Sequence, residues 1–205
     1  MVEYNAPVRD YEFLFKEMFD AIPIVQKLGY DFDSDFLSML TEGWAEHAKE
    51  VWLPINQLGD RVGLKFDDGN ILMPEEFKSA YNESIEGGWL STACKTEHGG
   101  MGVPLFFQTV AWAEIGTSTN MAMSVLPALT LGVYDVLVEH GEKELIDYFA
   151  TKLASGKWAG TMCLTEPHAG TDLGIITTKA VPEDCLLYTS PSPRDATLSR
   201  MPSWA

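Results

Sequence analysis

The stretch Thr161-Met162-Cys163-Leu164-Thr165-Glu166-Pro167-His168-Ala169-Gly170-Thr171-Asp172 decides the fold, because it marks where a helical chain begins to form strands. Its first part, through Thr165, has the apolar and β-branched character of a strand. Pro167 and Gly170 then predict a turn. A turn with free N–H groups and threonine hydroxyls can hold a polar ring or a phosphate. It can also be an ordinary surface turn after a buried strand, which the local chemistry alone favours.

Apolar residues recur at three- and four-residue steps through most of the chain before this stretch, which is the pattern of amphipathic helices. Ser34 is the expected N-cap of the first long helix, and Pro54 is expected to kink it. Irregular connections are predicted at 63–73, as a turn, and at 89–104, where three glycines lie within four positions. The predicted helices cover residues 9–20, 21–28, 34–55, 74–86 and most of 105–154.

The segment Met121 to Val138 is apolar on nearly all sides. A helix with this pattern is expected at the centre of a bundle, or along an apolar pocket. After the helices we expect a strand over Trp158 to Leu164 and a second extended segment from Leu173 to Thr178.

Composition excludes several classes of function. A net charge of −16 argues against a nucleic-acid partner and against binding to an anionic membrane surface. We expect no cleavable leader, because the opening residues are acidic and lack an apolar core, and no run of the apolar length that spans a bilayer. Cys94, Cys163 and Cys185 have no metal-ligand spacing, and His47 has no second ligand near it, so no metal site is predicted. Buried thiols in a reducing cytoplasm are the expectation.

The motif Cys-Leu-Thr-Glu-Pro-x-Ala-Gly-Thr-Asp resembles the signature of the flavin-dependent acyl-CoA dehydrogenases, which usually end it in Ala-Gly-Ser-Asp. The opening Tyr4-Asn5-Ala6-Pro7-Val8-Arg9-Asp10 and the stretch Glu97-His98-Gly99-Gly100-Met101-Gly102-Val103-Pro104 resemble the branch that includes 3-methylmercaptopropionyl-CoA dehydrogenases. The resemblance implies a mostly α chain. Residues 1–157 would be the family's N-terminal helical-bundle domain, and 158–184 would begin its middle β-domain.

The resemblance also implies roles for residues of the motif. The main-chain groups of Met162, Leu164 and Thr165, with the Thr165 hydroxyl, would face the polar edge of FAD. Gly170 and Thr171 would reach the cofactor and the CoA thioester, so that Thr171 also binds substrate. The cofactor-binding residues that the resemblance implies are Met162, Cys163, Leu164, Thr165, Gly170 and Thr171. Glu166 and Asp172 are expected to brace the turn rather than act as the base, and His168 receives no role.

Several features of the complete enzyme follow from the resemblance alone. An α-proton would pass to a glutamate in a C-terminal helical domain outside this chain, while a β-hydride moves to N5 of FAD. No catalytic residue is therefore predicted here, and the chain is expected to be an inactive N-terminal fragment. Acyl-CoA is the implied substrate, and the resemblance of the N-terminal segment points to 3-methylmercaptopropionyl-CoA. An electron-transfer flavoprotein is an implied acceptor, and a homo-oligomer is the implied assembly. By the same resemblance, Met121, Met123 and Leu126 are candidates for the wall of the acyl channel.

Two alternatives stay open at this point. An acyl-CoA oxidase shares the motif and passes electrons to oxygen, and a non-catalytic helical interaction module lacks the chemistry altogether.

Residues 185–205 differ in kind from the rest. Three prolines and four serines without periodicity are typical of disorder. Back-translation of 185–195 and 199–203 spells a sequencing-library adapter, apart from three intervening codons, although Trp204 departs from it. We therefore expect this tail to be foreign to the protein and disordered.

Overall fold

A computed structural model describes residues 3–183 and 186–190, with the backbone alone at Leu126, 180–183 and 186–190. The fold is mostly helical, which confirms the predicted fold class. Two compact units divide the chain, one ending at Thr161 and the other beginning at Met162. The predicted domain boundary after residue 157 stays a prediction.

The first unit begins with helices interrupted by π-helical turns. Pro54 follows directly on one of these turns, because proline has no N–H to continue an ordinary helical ladder. The irregularity expected at Pro54 is therefore present as a π turn just before it. The elements are α1 (Val8–Glu12), a π turn (Phe13–Met18), α2 (Ala21–Lys27), α3 (Ser34–His47), a π turn (Ala48–Trp52) and α4 (Leu53–Val62).

Helix α3 is capped by Asp33 and not, as predicted, by Ser34. The Asp33 backbone is extended, and its carboxylate accepts the N–H of Phe36 at 2.7 Å. A carboxylate accepts a free N–H, as a hydroxyl does, and its negative charge is also stabilised by the positive end of the helix dipole. Asp33 is therefore the N-cap in place of the neighbouring Ser34.

The connection predicted to be a turn contains a small hairpin. Strands β1 (Lys65–Asp67) and β2 (Asn70–Leu72) pair antiparallel around Asp68 and Gly69. Both turn residues have positive φ, at 43° and 81°. This is the conformation that an Asp-Gly pair adopts in two-residue hairpins, so the dipeptide was the signal for the strands on either side.

Helices resume after the hairpin and run to the end of the first unit. Short 3₁₀ turns at Trp89–Ser91 and Thr96–His98 lie in the glycine-containing stretch that was predicted to be irregular. The helices are α5 (Glu75–Glu86), α6 (Leu105–Phe107), a π turn (Gln108–Trp112), α7 (Ala113–Thr119), α8 (Met121–His140) and α9 (Lys143–Ala154).

Three tryptophans fill the centre of the main core. Trp44, Trp52 and Trp112 are each at most 2% exposed, and Trp44 packs edge-on against Trp52 with ring centroids 4.9 Å apart. Aromatic side chains bury large areas and hold specific mutual geometries, so this cluster joins α3 to the π turns that precede α4 and α7. A smaller core lies between α8 and α9, around Leu131, Tyr134 and Leu153.

The expectation that α8 is central to the bundle is wrong for much of its surface. Met121 and Val136 are 61% and 64% exposed, whereas Met123 and Tyr134 on other faces are buried. Helix α8 packs against α7 and α9, and its Tyr134 hydroxyl also bonds to the N–H of Lys95 and to the ring of His98, so these contacts cover only part of its surface. An apolar pattern indicates that a helix face is to be buried, but it does not indicate which other segment buries it.

The prediction that no apolar run is long enough to span a bilayer is wrong for helix α8. Among the described residues it is the one helix whose 20-residue length and mean hydropathy of 1.7 would allow it to cross a membrane. Length and composition are the whole of that evidence, and the core helix of a water-soluble protein meets the same criteria.

The second unit contains strands, but later in sequence than predicted. Residues 159–165 have no regular secondary structure, and Leu173–Ile175 is a 3₁₀ turn rather than the start of an extended segment. A strand requires a neighbour to bond with, and no such neighbour for 159–165 exists among the described residues. The paired strands are β3 (Lys179–Glu183) and β4 (Leu186–Ser190), which run antiparallel.

Strand β4 falls within the tail that was predicted to be disordered. Leu-Leu-Tyr-Thr has the β-branched and aromatic composition of a strand, which outweighs the proline-rich residues that follow it. Residues 191–205, which carry the rest of that prediction, lie outside the described part of the chain. The adapter origin stays a prediction.

Candidate functional site

The motif segment opens with a short extended run whose main chain is unpaired. Among the described residues, no hydrogen bond reaches the backbone N–H or C=O groups of Met162, Cys163, Leu164 or Thr165. All four residues are exposed, Met162 at 64% and Leu164 at 42%. Main-chain polar groups in a folded protein are nearly always satisfied by some partner, so this run is available to a partner outside the described residues.

A tight turn follows this run. The N–H of Glu166 donates to the carbonyl of Ala169, and the N–H of Ala169 donates back to the carbonyl of Glu166, both at 3.1 Å. The pair closes the turn at Pro167 and His168, and Ala169 is fully buried. The turn predicted from Pro167 and Gly170 is thereby confirmed.

The Glu166 carboxylate holds the far side of the loop. One of its oxygens accepts the N–H and the hydroxyl of Thr177 at 3.0 Å each. The other accepts the N–H of Thr178 at 2.8 Å and also its hydroxyl. These bonds, that from the Thr178 hydroxyl first, lower the pKa of Glu166 to about 2. The Glu166 carboxylate is therefore ionised, and both of its oxygens accept hydrogen bonds from the loop. This confirms its expected role in bracing the turn.

Asp172 has the same kind of role on a smaller scale. Its carboxylate accepts the N–H of Gly174 at 3.0 Å and caps the 3₁₀ turn Leu173–Ile175. Both acids of the motif therefore brace the backbone, as the sequence suggested.

His168 makes a contact within the loop that the sequence did not predict. Its Nε2 lies 3.2 Å from the carbonyl oxygen of Ile175 and 3.3 Å from a carboxylate oxygen of Glu166. The position was set aside because the resembling motif varies there. No pattern in a single sequence links a histidine to a carbonyl seven residues later, since that contact depends on how the loop closes.

Gly170 and Thr171 lie at the exposed tip of this loop. A Cβ added to Gly170 would meet no atom of the protein within 4 Å. Packing within the described chain therefore does not require glycine at this position. The space beside Gly170 and the Thr171 hydroxyl is open to a group from outside.

The first unit contains an apolar cavity of about 580 Å³. Its wall is formed by α4, the segment after β2, α5 and the beginning of α8, where Met123 is 7% exposed. Of the predicted channel residues, Met123 lines this cavity, Met121 does not, and the Leu126 side chain lies outside the described atoms. A cavity of this volume and character can hold a small apolar group.

The cysteines and acids offer no metal site within the described residues, where no three His, Cys, Asp or Glu side chains converge. Cys94 is buried, and burial, followed by the charge of Asp135, raises the pKa of its thiol to about 12. Cys163 is exposed in the motif run. Cys185 lies outside the described residues.

Comparison with known proteins identifies the helical part. The profile of "Acyl-CoA dehydrogenase, N-terminal domain" matches residues 64–157. The chain carries the acyl-CoA dehydrogenase N-terminal domain. This confirms the family resemblance predicted from the motif, and the match covers α5 to α9 together with the hairpin before them.

Curated relatives extend the match beyond this N-terminal domain. The 3-methylmercaptopropionyl-CoA dehydrogenase of Ruegeria pomeroyi is 35% identical over 183 residues, which are 88% of this chain and 31% of that protein. A butyryl-CoA dehydrogenase of Syntrophomonas wolfei is 33% identical over 186 residues, 88% of this chain and 30% of that protein. The chain thus spans about a third of the length of these relatives.

A solved structure supports the fold. The glutaryl-coenzyme A dehydrogenase in complex with glutaryl-CoA aligns with a TM-score of 0.60 at 20% identity, over 74% of this chain and 36% of that one. At this identity the likeness concerns the arrangement of the acyl-CoA dehydrogenase N-terminal domain and not its chemistry.

Proposed function

We propose that this chain is the N-terminal part of an FAD-dependent acyl-CoA dehydrogenase, which introduces an α,β double bond into an acyl-CoA thioester. One observation carries the proposal: the main chain from Met162 to Thr165 is exposed and unpaired at the motif that resembles the family's flavin-binding segment. Relatives with dehydrogenase names match across this same segment.

The chemical groups of the motif run are of the kinds that can bind the ring system of FAD. The run supplies main-chain donors and acceptors, the Thr165 hydroxyl and two exposed apolar side chains, Met162 and Leu164. Such groups can bond the polar edge of a flat heterocycle while the apolar side chains cover its surface. Main-chain donors placed there stabilise negative charge that develops on a bound ring. When bound, FAD would accept the hydride that leaves the β-carbon of the substrate.

The part of the chain described here would position groups and not move the substrate proton. Glu166 and Asp172 are both committed to backbone N–H groups, so neither is free to act as a base. Gly170 and Thr171 would admit the cofactor and the thioester at the tip of the loop, as the family resemblance implies for them.

The substrate is proposed to be an acyl-CoA with a short apolar acyl group. 3-Methylmercaptopropionyl-CoA is the specific candidate, supported by the name of the Ruegeria relative and by the N-terminal resemblance. The butyryl-CoA dehydrogenase relative makes butyryl-CoA the necessary comparison. The cavity beside Met123 is a candidate place for apolar atoms of the acyl group.

The remaining features of the complete enzyme are proposals from the same resemblance. We propose an electron-transfer flavoprotein as acceptor, a homo-oligomeric assembly and a cytoplasmic location. An acyl-CoA oxidase differs from this account in its acceptor, and peroxide formation distinguishes it.

The test uses the protein produced from its complete gene. Turnover is measured with butyryl-CoA and 3-methylmercaptopropionyl-CoA in the presence of an artificial electron acceptor, for the wild type, Thr165→Ala and Thr161→Ala. Thr161 is an exposed threonine just outside the motif run and serves as the matched control. We expect Thr165→Ala to reduce kcat/KM by about 10-fold or more, as for a lost donor to developing charge. No turnover by the wild type with any acyl-CoA, or equal turnover by both variants, would contradict the proposal.

A further inference from the structure

The loop from Pro167 to Ile176 is closed by two separate contacts. Glu166 binds the main chain of Thr177 and Thr178 where the loop ends. His168 reaches across the loop to the carbonyl of Ile175 at 3.2 Å. The same Nε2 faces the Glu166 carboxylate at 3.3 Å, so one histidine nitrogen joins both sides of the loop.

The chemistry of this contact fixes the proton on His168. Its two neighbours are a carbonyl oxygen and a carboxylate oxygen, and both of them only accept hydrogen bonds. Nε2 therefore carries a proton, which it donates to the carbonyl of Ile175, while the Glu166 carboxylate lies beside it.

The rest of the loop has few anchors of its own. Its other hydrogen bonds among the described residues include the two between Glu166 and Ala169, the bond from the Ile176 N–H to the carbonyl of Leu173, and the local cap of Asp172 on Gly174. Gly170 and Thr171 lie between these anchors and are exposed, and a Cβ at Gly170 would meet no atom within 4 Å. The path of the main chain through these two residues thus depends on how firmly the loop is closed.

We propose that His168 is a positioning residue, which acts together with Glu166 as a clamp that holds Gly170 and Thr171 in the arrangement that receives FAD and the thioester. His168 itself touches neither ligand. This inference rests on the proposed function, and it adds a role for a position at which the resembling motif varies.

The clamp makes different demands on its two members. His168 supplies one donor, which a glutamine amide can replace and an alanine cannot. Glu166 supplies two oxygens, each of which accepts a backbone N–H. In Glu166→Gln an NH₂ group replaces one of these oxygens and leaves that N–H without its acceptor, which is the costlier loss.

The test measures FAD binding to the apoprotein made from the complete gene, by the quenching of flavin fluorescence. The variants are His168→Ala, His168→Gln and Glu166→Gln. The matched controls are His140→Ala and Glu144→Gln, which change an exposed histidine and an exposed glutamate in the helical unit. Amide hydrogen exchange of Thr177 and Thr178 is measured in parallel, because it reports the clamp without any ligand.

We expect His168→Ala to weaken FAD binding about 3- to 10-fold, and His168→Gln to recover most of the loss. Glu166→Gln is expected to weaken binding about 10-fold or more and to speed amide exchange at Thr177 and Thr178, while both controls bind as the wild type does.

Wild-type affinity in both His168→Ala and Glu166→Gln would overturn the positioning role, and so would equal losses in His168→Ala and His168→Gln. A folded wild type that binds no FAD would overturn the proposed function and this role with it. Amide exchange that still depends on Glu166 would then leave the clamp as a purely structural feature.

Discussion

The indole of Trp44 stacks on that of Trp112, with ring centroids 4.7 Å apart and planes 8° from parallel. The Nε1–H of Trp44 also donates to the main-chain carbonyl of Trp112 at 2.9 Å, across 68 positions of sequence. One side chain therefore joins α3 to the helical segment before α7 both by packing and by a hydrogen bond. The pair lies at the centre of the helical domain that the family comparison recognises only in part.

Trp44→Phe is expected to lower the stability of this unit by about 2–4 kcal/mol, because it removes the bond to Trp112 and leaves a cavity. Thermal unfolding followed by circular dichroism measures the change. The matched control is Trp158→Phe, at a tryptophan that is 44% exposed, for which we expect at most about 0.5 kcal/mol. Equal effects of the two substitutions would show that the tryptophan cluster does not organise the core.

The same core contains a histidine that should make stability depend on pH. His47 bonds to the Ser84 hydroxyl at 2.8 Å, and that hydroxyl also accepts from Trp52 and donates to the carbonyl of Ala80. With its one proton given to Ala80, Ser84 accepts from His47, so neutral His47 carries its proton on Nε2. Burial lowers the pKa of His47 from 6.5 to about 4.

The sign of the effect follows from linkage. Between about pH 6.5 and pH 4 the unfolded chain protonates this histidine and the folded chain does not, so stability falls as the pH is lowered through that window. His47→Gln keeps a donor to Ser84 and has no such titration. We expect urea denaturation to show a shallower loss of stability in His47→Gln, while His140→Gln, at an exposed site, keeps the slope of the wild type. Parallel slopes in wild type and His47→Gln would contradict the assignment.

Two glycines are expected to respond in opposite directions to alanine. A Cβ at Gly100 would lie 2.1 Å from the carbonyl oxygen of Cys94, whereas a Cβ at Gly132 meets nothing within 4 Å. Gly100→Ala must therefore displace the backbone of the glycine-containing loop, and we expect a loss of about 2–3 kcal/mol. Gly132 lies inside α8, where alanine is favoured by about 1 kcal/mol. Melting temperatures of the two variants measure this, and a tolerated Gly100→Ala would show that the loop is not packed as described.

Thiol labelling separates the core from the motif. Cys94 is 1% exposed and its pKa is raised to about 12, so it should resist alkylation while the protein is folded. Cys163 is exposed in the run proposed to face FAD. We expect iodoacetamide to label Cys163 rapidly in the apoprotein and slowly after FAD is added, as read by peptide mass spectrometry. Labelling of Cys163 at the same rate with and without FAD would place the cofactor elsewhere.

Local pattern was sufficient to predict most helices and the motif turn. Pro167 and Gly170 predicted the turn. Glu166 and Asp172 were correctly expected to brace it, because a turn leaves free N–H groups for a carboxylate to accept. The Asp68-Gly69 hairpin was within reach of the same reasoning, since that dipeptide favours the positive φ of a two-residue turn.

Features that depend on distant partners were not predictable. The strand expected at Trp158 to Leu164 has the right side chains but no described neighbour with which to pair. The exposed side of α8 has the same origin, because apolar periodicity does not say which segment covers a face. His168 meets Ile175 only after the loop has closed, and no spacing rule connects the two.

If the unpaired run from Met162 to Thr165 belongs to a flavin site, the purified protein should contain bound flavin, which its visible absorbance measures. The protein from the complete gene is expected to carry about one FAD per chain, seen as visible flavin absorbance and released on denaturation, and Thr165→Ala to carry less than Thr161→Ala. A folded protein without bound flavin, which also fails to take up added FAD, would contradict the account.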